Sequence, residues 1–130
     1  MGAALLDTHA IHWWSAEPDR LSQPARRVLE AADELLVAAA SWYELAWLAE
    51  RQRIVIDVPI RSWLEDLAAQ LRTIGITPAI AERAVALPAS FPRDPTDRLI
   101  YATAVEQGVK LVTKDQAIAA HDEPRSIIVW

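Results

Sequence analysis

Four acidic residues stand at points where a short apolar run is expected to give way to a helix. They are Asp7, Glu44, Asp97 and Asp115. In a parallel sheet, the segments that leave the strands at one edge converge in space, however far apart they lie in the sequence. Four carboxylates brought together repel one another and raise each other's pKa unless a cation lies between them. The sequence therefore predicts a divalent-metal site.

The composition restricts the ligands of such a site. Cysteine is absent from the 130 residues, which removes thiolate ligands and a cysteine nucleophile. His9 and His12 are three residues apart, but no H-E-x-x-H motif accompanies them, so we expect them and His121 at the surface or the pocket rim. A site of hard carboxylate oxygens favours Mg²⁺ or Mn²⁺.

Three of the acidic positions also have a purely structural interpretation. Asp7 could cap the helix that follows the first strand, and Asp115 could cap the short segment QAIAAH. Ser41 and Glu44 match the S-x-x-E capping box, in which each side chain bonds the backbone N–H of the other residue. That geometry would place Glu44 in the first helical turn, close to the strand end where Asp7 is expected.

The segment DPTD contains two candidate carboxylates. Asp94 is expected to cap a helix that has Pro95 at its first position, and Asp97 would then lie in the first turn. Negative charge is favourable at both places because of the helix dipole. We predict that Asp94 is the cap and that Asp97 is the ligand.

Cationic and hydroxyl side chains adjoin the acidic residues. Arg93, Arg98 and Lys114 are candidates for binding substrate phosphates, with exposed salt bridges as the alternative for each. The hydroxyl of Thr113 could orient a ligand or a metal-bound water. These four residues are the predicted substrate-binding set.

Strands are predicted where short apolar runs are bounded by polar or turn residues. The predicted strands are 3–6, 35–40, 110–113 and 126–129, with 76–80 ambiguous because it contains Pro78. Helices are predicted after Ser22, from Ser41, from Pro59 to Ile74, over 79–87, and up to Gly108. Alternating strands and helices indicate a three-layer α/β/α sandwich with a central, mostly parallel sheet, in a single domain over residues 1–130.

The net charge of −5 is unfavourable for passive binding of nucleic acid. It argues less against a nuclease, because bound cations reverse the local field of clustered carboxylates. No apolar run approaches the roughly 18–20 residues that span a bilayer, and the first residues lack a basic region with a cleavage site, so we expect a cytoplasmic protein. Some of the six tryptophans are expected at interfaces.

Taken together, the motifs resemble those of PIN-domain ribonucleases, and most closely those of VapC-type toxins of bacterial toxin–antitoxin pairs. The resemblance covers the full length and rests on four segments, LLDTHA, SWYE, DPTDRLIYATA and LVTKD. It implies that the acidic metal-binding residues of the family correspond to Asp7, Glu44, Asp97 and Asp115. The Ser or Thr that the family has near its last acidic residue corresponds to Thr113.

The resemblance also implies an activity and partners. The expected reaction is cleavage of RNA phosphodiesters by water activated by Mg²⁺ or Mn²⁺, without a covalent intermediate. The expected partner is a VapB-like antitoxin, whose amphipathic C-terminal segment would lie near exposed tryptophans such as Trp47. By the same resemblance, the toxin is expected to form a homodimer.

Two other functions are compatible with parts of the sequence. A haloacid-dehalogenase-like phosphatase also has an Asp after its first strand, but it needs a second Asp two residues later, where this chain has His9. A catalytically inactive PIN-like binding module is the other alternative. The intact set of carboxylates argues against it, because unpaired carboxylates bring no benefit to a scaffold.

Overall fold

The computed structural model describes residues 2–122 and 125–130, and within them the chain forms a five-stranded parallel sheet. The strand order is β3-β2-β1-β4-β5, and every pairing is parallel. The strands are β1 (Ala3–Leu6), β2 (Glu34–Ala38), β3 (Arg72–Ile74), β4 (Lys110–Val112) and β5 (Ile128–Val129). β1 lies at the centre, so the segments that leave β1, β2 and β4 are neighbours at one edge of the sheet.

Helices cover both faces of the sheet. They are α1 (Thr8–Ala16), α2 (Gln23–Ala31), α3 (Ala39–Glu50), α4 (Ile60–Ala68), α5 (Pro78–Ala86), α6 (Pro95–Gln107) and α7 (Gln116–Ala119). Leu6 belongs to a core cluster with α1 to α4, whereas Leu5 belongs to a second cluster with α5 to α7, because successive strand residues point to opposite faces. This arrangement confirms the predicted three-layer α/β/α sandwich.

The region between Pro59 and Ile80 differs from the prediction. α4 ends at Ala68, and Arg72–Ile74 forms the edge strand β3 instead of continuing the helix. The ambiguous segment 76–80 forms no strand, because Thr77 caps α5 by accepting the backbone N–H of Ile80 at 3.2 Å; α5 itself corresponds to the helix predicted over 79–87. The apolar spacing of this region fits a helical period, and a three-residue edge strand is too short to interrupt that pattern visibly.

The end of α6 and the start of β5 are each set by identifiable residues. The C-cap of α6 is Gly108, which has a φ of 66°. This left-handed backbone conformation is strained for most residues but not for glycine. β5 is shorter than predicted, because Ser126 has φ of 54° and precedes the strand. The buried carboxylate of Asp122 accepts hydrogen bonds from the N–H groups of Ile127 and Ile128 at 3.1 and 2.9 Å and so fixes the start of β5.

In the described part of the chain, no helix is both long and apolar enough to cross a membrane.

Candidate active site

A pocket of about 450 Å³ opens at the carboxyl ends of the central strands. All four of the acidic residues singled out in the sequence line it, together with Asp94. Asp7 follows β1, Asp115 follows β4, Glu44 lies on α3 after β2, and Asp97 lies in the first turn of α6. The convergence expected of parallel strand ends is therefore present.

Asp7 is held in place from three directions. Its backbone N–H donates to the carbonyl of Val112 in β4 at 3.1 Å, and its Oδ1 accepts the N–H of Ala10 at 2.8 Å as the N-cap of α1. Its Oδ2 accepts a hydrogen bond from the hydroxyl of Thr113. Burial raises the pKa of Asp7, whereas the hydrogen bonds from Thr113 and Ala10 act in the opposite direction. Asp7 thus combines the predicted capping role with a place in the pocket.

Thr113 connects two of the acidic residues. Its hydroxyl donates to Asp7 and accepts the backbone N–H of Asp115 at 3.1 Å, and its side chain is buried. Asp115 in turn caps α7 by accepting the N–H groups of Ala117 and Ile118 at 2.9 and 3.3 Å. Thr113 was predicted to contact the substrate, but in this geometry its hydroxyl is engaged in supporting the two acidic residues.

Glu44 does not form the predicted capping box. α3 already begins at Ala39, its N-cap is Ala38 without any side-chain bond, and Ser41 is buried within the helix. Glu44 therefore lies in the second turn. The chain passes directly from Ala38, the last residue of β2, to Ala39, the first residue of α3, so no polar residue occupies the N-cap. The carboxylate of Glu44 instead accepts a hydrogen bond from the hydroxyl of Thr8.

Thr8 is a functional candidate that the sequence did not identify. It is buried at the start of α1, donates to Glu44, and has its Oγ1 3.2 Å from the Oγ of Ser41. It therefore joins α1 to α3 across the pocket floor. The only signal in the sequence was its position directly after Asp7, because nothing in the spacing reveals a contact with a residue 36 positions away.

Asp94 and Asp97 divide the two roles that were predicted for them. Asp94 is the N-cap of α6 and accepts the N–H of Thr96 at 3.1 Å. Asp97 makes no side-chain hydrogen bond to any residue that the structure describes. Its partial burial raises its pKa to about 7, with further contributions from the negative charges of Asp94, Asp115, Glu44 and Asp7. Asp97 thus has a carboxylate whose ionisation is disfavoured both by burial and by the neighbouring negative charges, without a hydrogen-bond donor in the described part of the chain.

The predicted phosphate-binding residues are distributed differently. Lys114 lines the pocket, with its Nζ 5.8 Å from the centroid of the Trp13 ring. Arg93 is exposed and is not part of the pocket wall. His9 lines the pocket, whereas the Nε2 atoms of His12 and His121 contact Glu17 and the carbonyl of Ser90 outside it.

Arg98 is engaged inside the protein, which corrects its predicted role in phosphate binding. Its five N–H groups each have a backbone carbonyl as acceptor, at 2.9 to 3.3 Å, and its guanidinium lies 5.7 Å from the centroid of the Phe91 ring. The acceptors belong to Ala84, Leu87, Pro88, Phe91 and Pro92. Arg98 therefore ties the end of α5 and the following loop to the start of α6, and it has no free donor for a phosphate.

The donor set of the pocket suits a divalent cation, although the side chains are not preassembled around one. Among residues 2–122 and 125–130, no three Asp, Glu or His side chains form a ready ligand cage. The carboxylates of Asp7, Glu44 and Asp115 are instead turned toward hydroxyl and backbone donors. Oxygen-only ligands and the uncompensated charge at Asp97 fit Mg²⁺ or Mn²⁺.

Residues 4–124 match the PIN domain family model, and the chain therefore belongs to the PIN domain family. It is 59% identical over 130 residues to ribonuclease VapC22 of Mycobacterium tuberculosis, and the match covers all of both chains. These findings confirm the family suggested by the sequence motifs.

Solved structures show the same fold. A toxin–antitoxin complex from Klebsiella pneumoniae superposes with a TM-score of 0.69 at 23% identity, covering 98% of this chain and 96% of the other. The sarcin–ricin loop cleaving toxin VapC20 of Mycobacterium tuberculosis gives a TM-score of 0.62 at 15% identity, covering 90% and 93%. At these identities the likeness concerns the fold alone.

Proposed function

We propose that this chain is a Mg²⁺- or Mn²⁺-dependent endoribonuclease that acts as the toxin of a toxin–antitoxin pair. The observation that carries the proposal is the convergence of Asp7, Glu44, Asp97 and Asp115 in one pocket. The full-length similarity to a relative named as a ribonuclease supports it. We infer that a single domain carries the activity and that it acts on RNA in the cytoplasm.

The residues of the pocket divide into ligands and supports. The four carboxylates would hold the cation, Thr113 would keep Asp7 and Asp115 in register, and Thr8 would orient Glu44. The cation, when bound, supplies positive charge for the phosphodiester and lowers the pKa of the attacking water. Lys114 lies on the pocket wall, where its ammonium group can contact a phosphate of the bound strand.

The two alternative functions fit less well. A haloacid-dehalogenase-like phosphatase would need an Asp where this chain has His9, and the family match is to the PIN domain. An inactive binding module would not need carboxylates that raise one another's pKa at a cost in stability. The nuclease is the function that makes use of the whole set.

A titration with Mn²⁺ tests the proposal directly. We expect calorimetry to show binding by the wild type and its loss in Asp97→Asn, together with loss of Mn²⁺-dependent cleavage of total bacterial RNA. Asp57→Asn is a matched control, because Asp57 is exposed and lies outside the pocket. Absence of binding at millimolar Mn²⁺, with no cleavage, would favour the inactive binding module.

We further infer an antitoxin partner and a homodimer of this chain. The Klebsiella pneumoniae structure of similar fold is a toxin–antitoxin complex, which supports the same kind of partner here. A basic side chain from the antitoxin, placed among the four carboxylates, would compete with the cation and silence the enzyme. Such inhibition uses the same charges as the proposed catalysis.

A further inference from the structure

Two aromatic rings share the pocket with the carboxylates. His9 and Trp13 lie one turn apart on α1, both line the pocket, and their ring centroids are 5.9 Å apart with an interplanar angle of 44°. The ring of Trp130 lies 5.6 Å from that of Trp13 and supports it from the C-terminal end of the chain. His9 is exposed and Trp13 is half-buried. An aromatic surface is thus held beside the acidic wall.

Lys114 provides a cation next to this surface. Its side chain is exposed, its Nζ lies 5.8 Å from the Trp13 ring, and it makes no salt bridge with any described residue. A contact between an exposed ammonium and a ring is weak. The exposed side chain of Arg20, whose guanidinium lies 5.3 Å from the same ring centroid, is held no more strongly. Both side chains can therefore leave the ring when an anion and a better stacking partner arrive.

RNA needs a source of affinity other than general charge attraction. The chain has a net charge of −5, and the pocket itself is rich in carboxylates, so long-range electrostatics oppose the approach of a polyanion. Stacking of a base on an aromatic side chain does not depend on the sign of the surrounding field, and it is a common source of affinity for unpaired strands. Within the described part of the pocket wall, only His9 and Trp13 offer such a surface.

We propose that Trp13, together with His9, forms a stacking site for the nucleobase next to the scissile phosphate, while Lys114 contacts the phosphate beside it. This inference rests on the proposed function. Trp13 is six residues after Asp7, which corresponds to about 9 Å along the axis of α1. A base on this surface therefore lies beside a bond held at the carboxylates. The Trp13 ring acts in binding, and the carboxylates act on the bond.

Binding of two RNA probes separates stacking from charge. The probes are a fluorescein-labelled octa-adenylate and an abasic strand of the same length, measured by fluorescence anisotropy with Asp97→Asn protein to prevent cleavage. We expect Trp13→Leu to raise the Kd for octa-adenylate about tenfold and to leave the Kd for the abasic strand unchanged. Trp13→Phe, which keeps a ring, should retain most of the affinity and shows that the fold tolerates substitution.

Trp14→Leu is the matched control. Trp14 is adjacent in sequence and, like Trp13, packs against the core cluster of α1 to α4, but it is not part of the pocket wall. The inference is overturned if Trp13→Leu weakens both probes equally, if it weakens neither, if octa-adenylate does not bind at all, or if only antitoxin binding suffers. A base-dependent effect of Trp13→Leu, in a protein whose wild type cleaves no RNA, would refute the proposed function and leave the stacking site standing. RNA cleavage by the wild type, without a base-dependent effect of Trp13→Leu, would support the proposed function and refute the stacking site.

Discussion

The hydroxyl of Thr113 donates a hydrogen bond to the carboxylate of Asp7, a residue 106 positions earlier in the chain. The two residues directly follow neighbouring parallel strands, β4 and β1, and Thr113 also accepts the N–H of Asp115. A neutral hydroxyl can thus stabilise one acidic residue and align a second without adding charge to the pocket. This makes Thr113 the central support of the candidate metal site.

Replacement of Thr113 by Val should weaken the pocket while preserving the shape of the side chain. Asp7 would lose a donor to its ionised form, so its pKa should rise further and the free energy of unfolding should fall by about 1–3 kcal/mol at a pH where Asp7 is ionised. Denaturant titration and Mn²⁺ calorimetry measure the two effects. Thr113→Ser keeps the hydroxyl and should retain Mn²⁺ binding; equal losses in both variants would contradict the proposed support.

The metal-free protein should lose stability as the pH rises from about 4 to about 7. The pKa of Asp97 is raised from its ordinary 3.8 to about 7 in the folded state, so in this interval the folded state holds a proton that the unfolded state has released. Burial also raises the pKa of Asp7, which therefore contributes to the pH dependence of stability with the same sign. Urea denaturation in EDTA at several pH values measures the slope. Asp97→Asn should flatten it, and a rising stability over this interval would refute the assignment.

Replacement of Arg98 by Lys should destabilise the fold. Lysine has three donors in place of the five that Arg98 gives to backbone carbonyls, and it cannot reproduce the planar arrangement. We expect a loss of about 2 kcal/mol in the free energy of unfolding, because several partly buried carbonyl groups lose their donors. Arg93→Lys, at an exposed position, should change stability by less than about 0.5 kcal/mol. Normal stability of Arg98→Lys with loss of RNA affinity would restore a role in phosphate binding.

Replacement of Trp47 by Ala should weaken antitoxin binding more than RNA cleavage. Trp47 remains 38% exposed on α3, carries the guanidinium of Arg51 at 4.8 Å from its ring centroid, and is not part of the pocket wall. Half-exposed tryptophans are frequent anchors of protein interfaces, where truncation often costs about 2 kcal/mol or more. Calorimetry of the purified pair and a cleavage assay compare the two functions. Val85→Ala, at an exposed position on α5, is the control, and unchanged affinity with lost solubility would assign Trp47 to the core.

The positions of Asp7 and Asp115 could be predicted because they depend on local patterns. Each follows a short buried strand, and parallel strands bring such positions together whatever the connections between them. The different positions of Asp94 and Asp97 could also be predicted from a local pattern, because Pro95 fixes where the helix begins. These inferences needed no knowledge of distant contacts.

The failures concern contacts that no local pattern encodes. Ser41 and Glu44 match a capping box, but the alanines before them suit a helix as well as a strand, and the helix had already begun. Arg98 stands beside an acidic residue, which suggested a phosphate ligand, whereas its partners are carbonyl groups that every residue possesses. Edge strand β3 is similarly hidden, because its pairing with β2 depends on tertiary structure.

The position of β4 beside β1 has a consequence for the order in which the protein acquires its pocket during synthesis. β1 is synthesised before β4, so Asp7 gains its hydrogen-bonding partners Val112 and Thr113 only after about a hundred further residues have been added. A nascent chain that stops before this point contains Asp7, Glu44 and Asp97 but lacks the strand that completes the wall. The acidic pocket therefore exists only in chains that include β4 and Thr113, and products of translation interrupted before them do not contain it.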